Sequence, residues 1–322
     1  MEDWRPTASL TALRVRAELL VVARRYFAER GVLEVETPLV SAAGVTDVHI
    51  ESMRVTAPAL GLQGFLSTSP EYAMKRLLAA GSGDIYQICH AFRDGERGRN
   101  HNPEFTLIEW YRVGFDSELL MNDVEGLLGA MLAPRRAWHP AVRLSYREAM
   151  RRHAGLDPFD DSVDDMRRVV AGHSIAAPAN MGDARDVWLD LVMSMIVGPK
   201  LGRHGLCFIH DYPASQAALA RLRPGEPATA ERFEAYLDGM ELANGFRELT
   251  DADEQRARFA ADQAARRNTG RDAPPIDEHL LAALGAGLPD CAGVALGFDR
   301  VVMLACGLQS IDEALTFPTE RA

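Results

Sequence analysis

Lysine is almost missing from this chain. Of its 35 basic residues only Lys75 and Lys200 are lysines, and the rest are arginines. Codon bias accounts for that skew without any function. Cysteine is scarce as well. Cys89, Cys207, Cys291 and Cys306 stand apart with no CxxC spacing, which excludes a zinc-ribbon or disulfide framework and fits small buried thiols of a reducing cytoplasm. No apolar run reaches about 18 residues, so no membrane-spanning helix is expected. The N-terminal stretch has arginines inside its apolar run and no cleavage-like site, so no signal peptide is expected either. Internal repeats and low-complexity tracts are absent. Positive charge is in deficit, with a net charge of −11. That disfavours a nucleic-acid partner, because phosphate-backbone binding rests on lysines and arginines releasing counterions. A cationic small substrate, or a partner with a locally basic face, suits such a balance.

What is present begins with enough apolar residues, 47% of 322, to bury one large core with a small insertion. The most informative stretch is Phe92–Arg112. Strand-like runs at Ile85–Phe92 and Phe105–Tyr111 flank about a dozen residues rich in Gly, Asp, Asn, Arg and Pro, which predicts a long hairpin loop between antiparallel strands. Arg93, Arg97, Arg99 and Arg112 accompany Glu96, Glu104 and Glu109 there. Arginine's planar fork grips phosphate through paired hydrogen bonds. A loop carrying several forks, beside carboxylates on a rigid strand, suits a polyphosphate next to a cation. A solvated charged loop is the plainer reading of the charge alone.

Taken in order, residues 10–30 read as an amphipathic helix closed by Gly31, and Val32–Thr37 as a strand stopped by Pro38. Residues 45–66 suggest short β pieces around a turn. Thr68-Ser69-Pro70-Glu71 reads as a helix start, with a hydroxyl cap and proline at the first helical position, the helix running over 71–80. Alone, Glu71 only favours that helix dipole. With the Ser69 hydroxyl it could also hold an ammonium group at the helix mouth. Residues 117–200 predict helices near 118–132, 146–153, 162–171 and 186–196, read as an insertion packing on the core. Strand 206–213, helix 253–268 and a short helix 280–286 follow. Gly293–Arg300 runs from a strand through Gly297 into a helix at 299–306. Gly297 allows close approach of a flat ligand. Arg300, near a positive helix end, calls for an anion.

Asn244-Gly245 is the strongest short hairpin signal available. A two-residue turn there pairs Ala243 with Phe246, Leu242 with Arg247 and Glu241 with Glu248. Two carboxylates would then face each other roughly 5 Å apart on one ladder. Such a pair destabilises a sheet unless a cation sits between its members or one is protonated. It suits Mg²⁺, which one or two carboxylates and substrate phosphates commonly hold.

The helix–strand–Pro38 unit, the strand–arginine loop–strand unit and the strand–Gly297–Arg300–helix unit, in this order, resemble the three motifs of class II aminoacyl-tRNA synthetases. TSPEYAMKRLL, RNHNPEFTLIEWY, ELANGFREL and GVALGFDR resemble the lysine-specific branch, and the likeness covers essentially the whole chain. It implies an α+β catalytic domain spanning 1–322, a mostly antiparallel sheet flanked by helices, with the insertion at about 117–200. The first motif begins near residue 10, which leaves no room for an anticodon-binding barrel. The short chain, Ser69 in TSPEY and ELANGFRELTDA resemble the paralogues that attach β-lysine to a lysine of translation elongation factor P. The resemblance therefore implies a cytoplasmic homodimer, built on helix 10–30 and strand 32–37, that uses ATP and Mg²⁺ and acts on lysine or (R)-β-lysine. Elongation factor P would be its acceptor and useful tRNA charging is not expected.

Residue roles follow from the same likeness. Arg93 would clamp the α-phosphate and the substrate carboxylate, and Arg300 the γ-phosphate. Asp94, Glu96, Glu241, Leu242 and Gly297 would line the ATP site. Glu241 and Glu248 would hold Mg²⁺. Ser69, Glu71, Asn102, Glu109, Tyr111 and Glu248 would bind the amino acid, with Glu71 and Glu109 facing its ammonium groups. One position departs from the pattern. Where the family has glutamate two residues after the motif arginine, this chain has Gly95, with Glu96 next. Either Glu96 takes that role through a shifted loop, or the nucleotide contact passes to backbone. Competing readings are an asparagine-synthetase-like amide ligase, a non-catalytic amino-acid-sensing paralogue, and a truncated lysyl-tRNA synthetase. The joint presence of Arg93, Glu241, Glu248 and Arg300 weighs against a mere binding module.

Overall fold

Ser9 Oγ accepts a hydrogen bond from Ala12 N at 3.1 Å and starts α1 (Leu10–Ala28). Gly31, with φ of +68°, turns the chain after it. The computed structural model describes residues 4–178 and 181–322. The remaining elements are β1 (Leu33–Glu34), β2 (Val40–Ser41), β3 (Arg54–Ala57), β4 (Leu62–Leu66), α2 (Glu71–Ala79), β5 (Ile85–Phe92), β6 (Glu104–Val113), α3 (Ser117–Leu132), β7 (Val142–Ser145) and α4 (Tyr146–Ala154). They continue with α5 (Val163–Gly172), α6 (Arg185–Val192), β8 (Cys207–Pro213), β9 (Leu222–Arg223), β10 (Thr229–Leu237), β11 (Met240–Arg247), α7 (Ala252–Asn268), α8 (Glu278–Gly287), β12 (Cys291–Gly297) and α9 (Phe298–Cys306). The strand expected over 32–37 is shorter than predicted, because only Leu33 and Glu34 pair with β5.

The main sheet runs β1-β5-β6-β12-β11-β10-β8-β7, with β9 on β10. Only β1 with β5 and β7 with β8 pair in parallel, so the sheet is mostly antiparallel, as expected. Alternation along the strands separates its two faces. Ile108, Trp110, Phe233, Val294 and Leu296 point into the main core under α1, α3 and α9. Glu109, Tyr111, Glu234 and Gly293, one residue out of step, point to the other face. That second face carries the functional side chains.

Helix α3 corrects the view of 117–200 as one insertion. Leu120, Val124, Leu127 and Leu128 are fully buried beside Leu19 and Phe27 of α1. Asp123 on α3 accepts from Tyr26 Oη at 2.8 Å and from Trp110 Nε1 at 3.2 Å. Helices α4, α5 and α6 form a second cluster against β8, and β7 extends the main sheet.

The Asn244-Gly245 hairpin does not exist. β11 runs straight through both residues, and the turn falls at Asp238-Gly239, whose φ angles are +54° and +78°. Gly245 is there for packing: an added Cβ would lie 2.7 Å from Phe233 Cζ and 2.7 Å from Val294 Cβ. The register between β10 and β11 steps from Ala235↔Ala243 to Tyr236↔Glu241, making Leu242 an extra residue. That bulge turns Glu241 onto the face of Tyr236 and Glu234.

Replacing Gly245 with alanine forces side chains out of a filled core, and we expect a loss of about 1–3 kcal/mol in urea unfolding. An unchanged midpoint would contradict this packing role.

Candidate active site

The expected antiparallel hairpin of β5 and β6 is present, with a register from Ile85↔Tyr111 to Phe92↔Glu104. Its loop, 93–103, does not present four arginine forks. Arg97 pairs with Asp312 at 2.9 and 3.0 Å and with Glu320. Arg99 Nε donates to Gln309 O at 2.7 Å. Arg112 lies 3.3 Å from Asp84 and 3.7 Å from Asp123. These three are struts. Arg93 is the one left facing the site: it lies over the Phe105 ring and donates to Thr68 O at 3.3 Å. Gly95 has φ of +75°, a conformation that favours glycine. The turn brings Glu96 Oε1 to 3.5 Å from Arg93 Nη1, which fits the shifted-loop alternative. Asp94 is exposed, and its backbone N–H donates to Glu51 O at 2.9 Å.

Arg300 comes to the same region from the first turn of α9. It donates to Glu241 O at 2.8 Å and to Asn100 O at 3.2 Å, with His101 Nε2 2.8 Å away. Burial, and then the Arg300 charge, hold the His101 imidazole below its usual pKa. Gly297, at the N-cap of α9, leaves space: an added Cβ would meet nothing closer than Arg300 Cδ at 3.6 Å. Leu242 is buried beside it. A cavity of about 300 Å³, lined among others by His101, Arg232, Glu234, Glu241 and Arg300, opens beyond these residues.

Glu241 and Glu248 are not partners across a ladder. Glu241 lies near the start of β11 and Glu248 just past its end, roughly 20 Å of extended chain away, too far to share a single ion. The carboxylate beside Glu241 is Glu234, which accepts from Arg232 at 2.6 Å and from Tyr236 Oη at 2.6 Å. Burial and then Glu234 push the Glu241 carboxyl up to about 7. The Asp238-Gly239 dipeptide was the signal that could have found Glu234, since a turn there pairs Tyr236 with Glu241. No cluster of three or more His, Cys, Asp or Glu side chains suited to a metal occurs among the described residues. Glu241 still fits Mg²⁺, which one or two carboxylates and phosphate oxygens suffice to hold.

Glu248 belongs to a second pocket. Fully buried, it lies 2.6 Å from Lys75 Nζ as an ion pair without an aligned hydrogen bond. Lys75 also donates to Glu71 at 2.6 Å. Glu109, buried nearby, accepts from Tyr111 Oη at 2.8 Å. Burial first, and then the Glu71 charge, push the Glu109 carboxyl up to about 8. Gly293 makes the space, since a Cβ there would lie 2.2 Å from Tyr111 Cε1 and 2.5 Å from Glu248 Oε1. Ser69 does not cap α2 as expected. Pro70 holds the cap position, and Ser69 Oγ accepts from Glu71 N at 3.3 Å. Asn102 is buried with its amide engaged: Nδ2 donates to Glu104 O at 2.6 Å, and Oδ1 accepts from Thr319 N at 3.2 Å. The structure thus ties Asn102 to the frame of the loop. Lys75 is the residue that sequence reasoning missed in this pocket.

The raised Glu109 pKa has a definite sign. The folded protein favours its protonated form, so this contribution to stability is full below the unfolded value of 4.5 and is lost as pH rises through about 8. Glu109→Gln should flatten the pH dependence of urea unfolding between pH 5 and 8 and gain stability relative to wild type at pH 8. An identical pH dependence in both proteins would contradict this.

Residues 2–321 match the family of tRNA synthetases class II (D, K and N). A Vibrio cholerae protein named elongation factor P–(R)-β-lysine ligase is 49% identical over 324 residues, covering 99% of this chain and 99% of its own. Proteins of the same name from Klebsiella pneumoniae and Vibrio vulnificus are 49% and 48% identical, each aligned over 98% of its own length. The match runs along nearly the full chain, which belongs to the class II tRNA synthetases of the D, K and N type.

Proposed function

We propose that this chain activates (R)-β-lysine or lysine with ATP as an aminoacyl adenylate and transfers the acyl group to a lysine side chain of translation elongation factor P. One observation carries the substrate class. Glu71, Glu109 and Glu248 meet around a single protein cation, Lys75. Two buried carboxyl groups, Glu109 and Glu248, and the part-exposed Glu71 facing one ammonium are costly unless a guest supplies positive charge. A diamino acid brings two ammonium groups. The relatives' names support elongation factor P as the acceptor and (R)-β-lysine as the isomer.

The chemistry follows from the two halves. Arg93 would hold the substrate carboxylate and the α-phosphate, compensating the charge that develops as a carboxylate oxygen attacks phosphorus. The bond to pyrophosphate breaks in line, and Arg300 with His101 would receive the departing phosphates. Gly297 would leave room for the adenine. Mg²⁺, held by Glu241 with Glu234 beside it, would supply charge neutralisation between the phosphates. The acceptor amine then attacks the acyl carbonyl, AMP leaves, and the amine proton passes to a carboxylate or to an AMP phosphate oxygen.

Acceptor choice rests on the net charge of −11 and on Arg97 and Arg99 being bound to the chain's own groups. Both would weaken contact with a tRNA backbone. A protein loop with a basic face would be drawn to the negative surface. No helix among the described residues is long and apolar enough to cross a membrane, and the cytoplasm is the compartment we propose. A homodimer through α1 and β1 is supported by exposed Leu10 and Leu33, 68% and 55% accessible, the latter on an edge strand.

Three measurements bear on this reading. Incubated with ATP, Mg²⁺, each lysine isomer and equal amounts of tRNA and elongation factor P, the enzyme should add one lysyl unit to the protein by intact mass. Label mainly on tRNA would overturn the assignment. Glu241→Gln should abolish lysine-dependent ATP–pyrophosphate exchange, whereas Glu248→Gln should raise KM for lysine and leave KM for ATP unchanged. Equal loss of ATP affinity in both would return Glu248 to the metal. Light scattering at micromolar concentration should give twice the chain mass, and a monomer would remove the dimer.

A further inference from the structure

Lys75 is fully buried, yet nothing in the adenylation chemistry uses it directly. Its ammonium lies 2.6 Å from Glu71 Oε1 on its own helix and 2.6 Å from Glu248 Oε2 beyond the end of β11. The Phe246 ring, 5.6 Å away, flanks it. Each carboxylate gives one oxygen to Lys75. The other oxygen of Glu248, Oε1, is buried with no hydrogen-bond partner, and so is Glu109 Oε2. Buried acceptors without donors are costly, so these oxygens are matched to a guest that brings N–H groups. Glu71 keeps 15% side-chain exposure.

The identity of the residue matters as well as its charge. The only other lysine, Lys200, is exposed and donates to His153 O, a contact that an arginine could make. At position 75 an arginine would not do the same. A guanidinium is a wide planar fork that sets two carboxylates side by side, whereas an ammonium is a point donor that two carboxylates can approach from different elements.

We propose that Lys75 is a positioning residue for the amino-acid substrate, holding Glu71 and Glu248 on one ammonium so that their second oxygens face the substrate's amino groups. This rests on the reading that the pocket takes a diamino acid. Lys75 acts through the two glutamates and leaves the ATP half untouched.

The test uses ATP–pyrophosphate exchange with (R)-β-lysine and with lysine, beside thermal unfolding. Wild-type exchange that depends on neither amino acid would defeat the proposed function itself. Given wild-type exchange, Lys75→Arg keeps the charge and should fold with a melting temperature close to wild type. Its KM for the amino acid should rise about tenfold or more, with KM for ATP within about twofold. A Lys75→Arg enzyme with wild-type KM for the amino acid would overturn the positioning role. So would a parallel rise in both KM values, since that marks a general disturbance of the fold. If Lys75→Arg fails to fold, the triple substitution Lys75→Met with Glu71→Gln and Glu248→Gln, which strands neither carboxylate partner of Lys75, decides the matter. Its KM for the amino acid should resemble that of the Glu71→Gln, Glu248→Gln double variant, because Lys75 acts through the residues already altered. Fully additive effects would refute the coupling.

Discussion

Charge buried without solvent is the constraint around which this site is built. Glu71, Glu109 and Glu248 lie on α2, on β6 and just past β11, elements far apart in sequence, and the fold brings them to one largely buried pocket with Lys75. Such a group cannot relax into water, so its neighbours must be arranged in advance. Gly293 has no side chain because Tyr111 and Glu248 fill the volume a Cβ would take. Tyr111 engages one oxygen of Glu109 and leaves the other open. Ground-state cost of this kind is how a binding site stays prepared for a cation it has yet to meet.

The nucleotide half follows a different economy. Its loop is rich in arginine, but only Arg93 points at the site, while Arg97, Arg99 and Arg112 fasten the loop and its strand to neighbouring segments. Asn102 does the same with Thr319. A loop that must keep one guanidinium in place is thus built from other guanidiniums acting as ties. Arg93 and Arg300 both reach the site from the Leu107↔Gly297 end of the β6–β12 pairing and depend on it for their relative placement.

Much of this could be read from the residues. The hairpin around Arg93, the strand–Gly297–Arg300–helix unit and α1 follow from local pattern, because each has its period and its breakers within a short window, whereas the mostly antiparallel α+β sheet is implied by the family resemblance. What failed was non-local. Asn244-Gly245 reads as a turn, but Gly245 answers to Phe233 and Val294 on neighbouring strands. Shifting the turn to Asp238-Gly239 replaced the supposed Glu241–Glu248 pair with Glu241 beside Glu234 and sent Glu248 to Lys75. Helix α3 was misjudged for the same reason, since its apolar face belongs to α1 and nothing in its own sequence names that partner. Lys75 lies within TSPEYAMKRLL, but its burial cannot be read from a charged residue's type.

The placement of β12 has a consequence for how the protein comes to be active. This strand sits between β6 and β11, joining Val113 to Cys291 and Leu296 to both Ile108 and Ala243. Its contacts with β6 close a very long loop, and such pairings form late and slowly compared with helices and tight hairpins. A chain gaining structure would hold α1, α3 and the β5–β6 hairpin well before Gly297 and Arg300 arrive opposite Arg93. Affinity for either substrate is therefore a property of the last closure event, and loosening that one strand would silence both halves while most of the helices stay intact.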